Sequence, residues 1–160
     1  MEVFLASSHQ YKRGEIPTVH RRILFHLARR FESVCESALL NITSQVGLAT
    51  IEYAAIASLD DAPDLTADEL AVRMGMKPAL ASSILDRITT RGLVSQQSGE
   101  EGRYRLSEDG YEVGQRLKPA VIDAIDRIVS PLSDSERSTL HDMLARIIQA
   151  NEDTIIDAQR

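Results

Sequence analysis

The chain has one cysteine, Cys35, and lacks every short signature of a metal or nucleophile centre: it has no CxxC pair, no glycine-rich phosphate loop and no nucleophile elbow. A single cysteine makes no intramolecular disulfide, which excludes a stapled secreted scaffold and fits a reducing compartment. Its histidines, His9, His20, His26 and His141, never stand four residues apart from one another, so no helical pair of metal ligands forms among them. Together these absences point away from an enzyme, a metal and a cofactor. No apolar run approaches the ~20 residues of a membrane span. The N-terminal MEVFLASSHQYKRGE opens on an acidic residue, and its apolar run is too short for a signal peptide. A soluble cytoplasmic protein is expected. Positive charge is also scarce, with 18 Lys and Arg against 24 Asp and Glu for a net −6, which argues against indiscriminate coating of nucleic acid.

What is present is helical periodicity. The length of 160 residues suits one domain or one half of a dimer. Val19, Ile23, Leu24, Leu27, Phe31, Val34, Ala38 and Leu39 recur at three- and four-residue spacing, which predicts a long helix with Pro17 at its first position and its apolar face fading at Asn41. LATIEYAAIASLDDAPD predicts a second helix from about Thr50, with Ile51, Ala54, Ala55 and Leu59 inward and an Asp-Asp-Ala-Pro turn to end it.

The segment from Thr66 to Leu106 has a different character. It holds six bases against five acids, a net +1, so the rest of the chain carries −7. Thr66 with Glu69 predicts a capping box, and Leu70, Val72 and Met74 follow it to a stop at Gly75. A further helix starts after Lys77 with Pro78 in its first turn; Leu80, Ile84, Leu85 and Ile88 share one side, and Ala79, Ser82, Ser83, Asp86 and Arg87 lie nearer the other. Helix, glycine turn, helix is the helix-turn-helix arrangement. Small residues near a helix N-terminus let its backbone enter a DNA groove about 12 Å wide, with hydroxyls and amides free to bond bases or phosphates. They equally suit close packing on another helix, and the second helix alone does not choose between these uses.

The residues that follow do choose. Gly92 ends the helix, Leu93 to Gln97 and Arg103 to Leu106 alternate as strands, and SGEEG supplies the turn between them. In the return strand Tyr104 and Leu106 should face the helices while Arg103 and Arg105 face out, suited to phosphate or minor-groove contact. A helix-turn-helix followed by a hairpin is a winged helix. Beyond it, Ser107 can cap a helix from about Glu108 whose apolar side holds Tyr111, Leu117, Val121, Ala124, Ile125 and Ile128. Pro119 inside this helix predicts a kink near Gln115 to Lys118. Ser133 and Glu136 predict a capping box for a last helix that lines up Leu140, Leu144, Ile147, Ile148 and Ile155. The first and last helices are more apolar than one small domain requires, which argues for a two-fold homodimer. The expected fold is therefore mainly α with a small β-hairpin wing, a winged helix-turn-helix (47–110) inserted between long dimerisation helices (1–46 and 111–160).

These residues resemble the MarR-type transcriptional regulators. LATIEYAAIASL is similar to that family's helix before the motif, TADELAVRMGM and ILDRITTRGLV to its two motif helices, RLSEDG to the junction after its wing, and LSDSERSTLHDMLARI to its C-terminal dimer helix. The resemblance implies a dimeric DNA-binding protein that represses nearby genes and is released by small molecules or by oxidation. It also implies an effector cavity for a small aromatic or anionic molecule, for which His20, Arg22, His26 and Tyr53 are the candidates here. Departures from the family pattern are specific. Lys77 stands where Ser or Thr is common and Ser83 where a base is common, whereas Ser82, Asp86 and Arg87 match. The wing is short, with GEEG in place of Asp-Arg-Arg at its tip, and those acids should repel phosphate.

A helix-dominated contact with a palindromic double-stranded operator is accordingly expected. Lys77, Ser82, Ser83 and the amides at Ala79 and Leu80 would meet the major groove, and Arg73, Arg87, Arg103 and Arg105 would neutralise phosphates. The alternative function is a winged-helix protein-interaction module that no longer binds DNA. Cys35 falls at apolar helical spacing, where a thiol is usually buried and inert.

Overall fold

The computed structural model describes residues 18–97 and 102–151, with side chains from Ile23 onward. It divides into two compact units, residues 1–34 and 35–160. Helix α1 (Thr18–Thr43) supplies the described part of the first unit and continues into the second. Pro17, the expected first helical residue, lies outside the described residues, as do the wing tip Ser98 to Glu101 and Ile155. On α1 within the first unit, Leu24, Phe25, Leu27, Phe31 and Val34 are all exposed.

In the second unit, a 3-10 turn (Ser44–Val46) leads through Gly47, at φ +69°, into α2 (Thr50–Asp61). There follow α3 (Ala67–Met74), α4 (Pro78–Thr90), the antiparallel pair β1 (Val94–Gln96) and β2 (Tyr104–Leu106), α5 (Glu108–Val129) and α6 (Asp134–Gln149). The caps are the expected ones. Thr66 Oγ1 accepts from the Glu69 amide while Glu69 reaches back to the Thr66 amide at 2.8 Å, and Ser133 and Glu136 repeat the exchange on α6. Gly75 closes α3 in the left-handed region at φ +64°, which costs a glycine little. Ser107 caps α5 through the Gly110 amide. Helix α5 continues without interruption through Pro119, so the expected kink does not break it.

The core is aliphatic and lies between α2, α3, α4, the hairpin and α5, with Ile56, Leu59, Leu70, Ile84, Leu85 and Ile88 fully enclosed. Two inward assignments, on α4 and α5, are corrected. On α4 the buried residue of the first turn is Ala81, and Leu80 is exposed. Ala81 lies at the centre of the stripe drawn by Ile84, Leu85 and Ile88, whereas Leu80 is rotated about 100° from Ala81. On α3, Leu70 and Ala71 are buried while Val72 is exposed. On α5 the buried positions are Gly110, Leu117 and Ala124, a seven-residue repeat that leaves Tyr111 outside. Gly110 is buried because the helix start runs against the residue before β1, and a side chain there would collide with the Leu93 carbonyl oxygen. Helix α6 contributes no buried residue within this chain, and Met143, Leu144, Ile147 and Ile148 are exposed along it.

Candidate nucleic-acid interface

Helix α4 presents its outer surface as a narrow stripe of Ala79, Leu80, Ser83, Asp86, Arg87 and Thr90, with Ser82 half-buried at its margin. The stripe follows from the sequence: with the 81, 84, 85, 88 face committed to the core, helical geometry turns these positions outward. Lys77 caps the helix through its backbone alone, its side chain exposed, and Pro78 occupies the first helical position. One expectation about the amides is corrected here. The Leu80 amide already donates to the Lys77 carbonyl at 2.9 Å, so Leu80 can offer a DNA groove its side chain but not its N–H.

Intramolecular carboxylates engage each arginine expected to meet phosphate. Arg73 lies 3.4 Å from Asp61 across an exposed surface. Arg87 pairs through Nε with Glu52 Oε1 at 3.1 Å. Arg103 donates to the Asp64 carbonyl at 2.7 Å and to Glu69 at 3.2 Å. Arg105 grips the Asp64 carboxylate with two nitrogens, at 3.0 and 2.6 Å. The β2 side chains alternate as expected, Tyr104 and Leu106 half-buried against the core and Arg105 exposed, but the two arginines fold onto the α2–α3 turn. The pairs of Arg73, Arg103 and Arg105 are exposed, so exchanging a carboxylate for a phosphate oxygen is a small step for these three, whereas Arg87 faces a buried carboxylate.

Asp64 organises that turn. It is the one non-glycine residue with positive φ among the described residues, at +67°, a conformation that aspartate tolerates better than most side chains. The next residue, Leu65, accepts from the Tyr104 amide at 2.8 Å, a single antiparallel bridge that ties the turn to β2. Hydrogen bonding from Arg105 holds the Asp64 carboxyl below its ordinary pKa, and the same contact raises Arg105. Sequence reasoning missed Asp64. The visible signal was its place in a polar turn, which does not say which distant base it meets.

It also missed Glu52 and Arg91. Glu52, only 7% exposed on α2, accepts from the Ala49 amide at 2.8 Å and faces Arg91 at 3.5 Å as well as Arg87. Arg91 in turn donates to the carbonyls of Gly47 and Val46, at 2.8 and 3.1 Å. An open cleft of about 370 Å³ runs along this junction.

The four candidate effector residues are distributed differently. The side chains of His20 and Arg22 lie outside the described residues, and His26 is exposed on the first unit. Tyr53 is buried in the core of the second unit, where desolvation raises its phenol pKa against the opposing effect of Lys118. Nearby, Asp60 accepts from Gln115 and Lys118, at 3.1 and 3.2 Å, and joins α2 to α5. Cys35 is half-buried, and desolvation pushes its thiol pKa up, away from the thiolate form that reacts. Among the described residues no group of three or more His, Cys, Asp or Glu is placed to hold a metal ion, and no helix is long and apolar enough to cross a membrane.

A family model described as MarR family matches residues 46–103, from the last residue of the 3-10 turn to the residue before β2. Over this segment the chain is similar to the MarR family. A Thauera aromatica protein named for transcriptional regulation of the hcr operon is 24% identical over 134 residues, covering 81% of each chain. Among solved structures, the PcaV transcriptional regulator of Streptomyces coelicolor with its natural ligand superposes with a TM-score of 0.70 at 20% identity, covering 86% of this chain and 98% of that one. A MarR-family regulator of the same organism in complex with DNA gives 0.71 at 20% identity, with 88% and 92% covered. These likenesses extend the shared fold to the helices on both sides of the matched segment, with α4 as the second helix of a helix-turn-helix and the β1–β2 hairpin following it.

Proposed function

We propose that this chain is a sequence-specific DNA-binding transcriptional regulator, a homodimeric repressor released from its operator by a small aromatic or anionic effector. The observation that carries the reading is the MarR-family winged helix with its recognition helix outward: a narrow stripe of small and polar residues, Lys77 at its entry, and partly exposed arginines to either side. Lys77, Ala79, Ser82 and Ser83 enter the major groove, with the Leu80 side chain beside them. Arg73 and Arg87 neutralise phosphate, and Arg103 and Arg105 reach it from the wing strand by exchanging their carboxylate partners. The two Streptomyces neighbours, one solved with DNA and one with a ligand, support both halves of the proposal. The curated relative supports the regulatory role.

The exposed apolar rows on α1 and α6 belong to the dimer contact, so the dimerisation segments are 1–46 and 111–160 and the reading head is 47–110. His20, Arg22, His26 and Tyr53 remain the effector candidates. The ion-paired state of the arginines is what favours the rival, a protein-interaction module. Fluorescence anisotropy separates the two. Titrated with duplexes selected from a random library and with shuffled controls, the protein should prefer the selected sequences, and its affinity should fall steeply between 50 and 200 mM salt, by about 10³ or more for six or more phosphates. Absence of duplex binding at low salt would leave the interaction module.

A further inference from the structure

Glu52 is an acid placed where a DNA-binding surface has least use for one. It is nine-tenths buried at the start of α2, held by the Ala49 amide, and it pairs with Arg87 in the last turn of α4 and Arg91 just after it. Arg91 is further engaged by two carbonyls of the 3-10 turn, which makes it an anchor of the helix end. Arg87 is different. Glu52 approaches it through Nε, the inner nitrogen, and its side chain stays about half exposed. A guanidinium has five N–H donors in a rigid plane, so an ion-paired carboxylate beside Nε attracts that end of the group by charge while leaving donors for a second oxyanion. Burial favours the arrangement, since the rotamer freedom of a long side chain is given up on folding instead of on binding.

We infer that Glu52 is a positioning residue for DNA recognition, a buried carboxylate that orients Arg87 toward a backbone phosphate of the duplex. The inference rests on the proposed DNA-binding reading. It states that an acid in the reading head raises affinity, where its charge alone would lower it.

The full-length protein and a duplex selected from a random library test it. Each phosphate contact contributes about 0.9 to the slope of log affinity against log salt, so losing one per head from a dimer should flatten the slope by about 1.8. Glu52→Gln should show that flattening with an affinity loss on the order of a hundredfold, the scale of two hydrogen bonds to charged groups, one per head. Arg87→Ala should do the same, and the double variant should be no worse than Arg87→Ala. Arg91→Gln, which disturbs the same junction, should lower the melting temperature and leave the slope unchanged. A Glu52→Gln protein that binds more tightly with a steeper slope would overturn the inference by showing that Glu52 merely neutralises Arg87. Losses that add in the double variant, or a lower melting temperature with an unchanged slope, would overturn it as well. Should Glu52→Gln not fold, Glu52→Asp keeps the charge, draws it back by one methylene and carries the same comparison. A wild-type protein that binds no duplex would remove the DNA-binding reading and this inference together, whereas wild-type binding with an unaltered slope in the variants would remove only the inference.

Discussion

Leu80 and Ala81 are neighbours on α4 with opposite fates, and the smaller one is buried. Leu80→Ala should therefore change unfolding free energy by less than about 0.5 kcal/mol, whereas Ile84→Ala should cost about 2–5 kcal/mol by opening a cavity in the centre of the core. Urea unfolding of both variants checks the contrast, and an equal loss would place Leu80 inside. Gly110 is tested by the opposite change. A methyl group there would collide with the Leu93 carbonyl oxygen and cannot be accommodated without moving the helix start from the hairpin. Gly110→Ala should destabilise by about 1–3 kcal/mol in the same assay, and more if the backbone cannot yield. The expected cap residues, Thr66, Gly75, Lys77, Ser107 and Ser133, all hold the places their local sequence assigns them, because a cap depends on residues three or four positions away.

Among the elements, the wing shows what local reasoning could not supply. Alternation alone placed Tyr104 and Leu106 inward, yet Arg105 meets Asp64 across 41 residues and Arg103 meets the same turn across 39. The pair has a definite pH signature. Because Arg105 holds the folded-state pKa of Asp64 below its unfolded value, the contribution is complete above the ordinary carboxylate range near 3.9 and is lost as pH falls through the lowered folded-state value. Asp64→Asn should therefore melt below wild type at pH 7, and the two melting temperatures should converge toward acid. A constant gap down to pH 2 would mean that the charge of Asp64 is not what holds the wing strand. Glu69 and Glu136 act in the same direction, each lowered chiefly by the amide of its capping partner, so their caps also weaken in acid.

At the scale of the whole molecule, α6 carries Met143, Leu144, Ile147 and Ile148 exposed on a chain with a compact core elsewhere. An apolar row of that kind is covered when two copies associate, and isologous two-fold contact is the commonest way. Sedimentation should give a dimer at micromolar concentration, and the melting temperature should rise with protein concentration. Ile147→Asp should shift the equilibrium toward monomer and, on the proposed function, weaken binding to the selected duplex. If Ile147→Asp remains fully dimeric, α6 is not in the contact.

Sequence by itself determined the order of helices and strands, the caps, the glycine turn and the identity of α4 as the outward helix, since periodicity and capping act over a few residues. It also carried the family resemblance, through the order and spacing of the motif helices. Tertiary structure alone decided which carboxylate each arginine meets. Glu52 lies 35 residues before Arg87 and Asp64 lies 41 before Arg105, and nothing local to any of them names the partner. Charges attract over any sequence separation, so their pairing is set only when packing of the aliphatic core brings α2, α4 and the wing together.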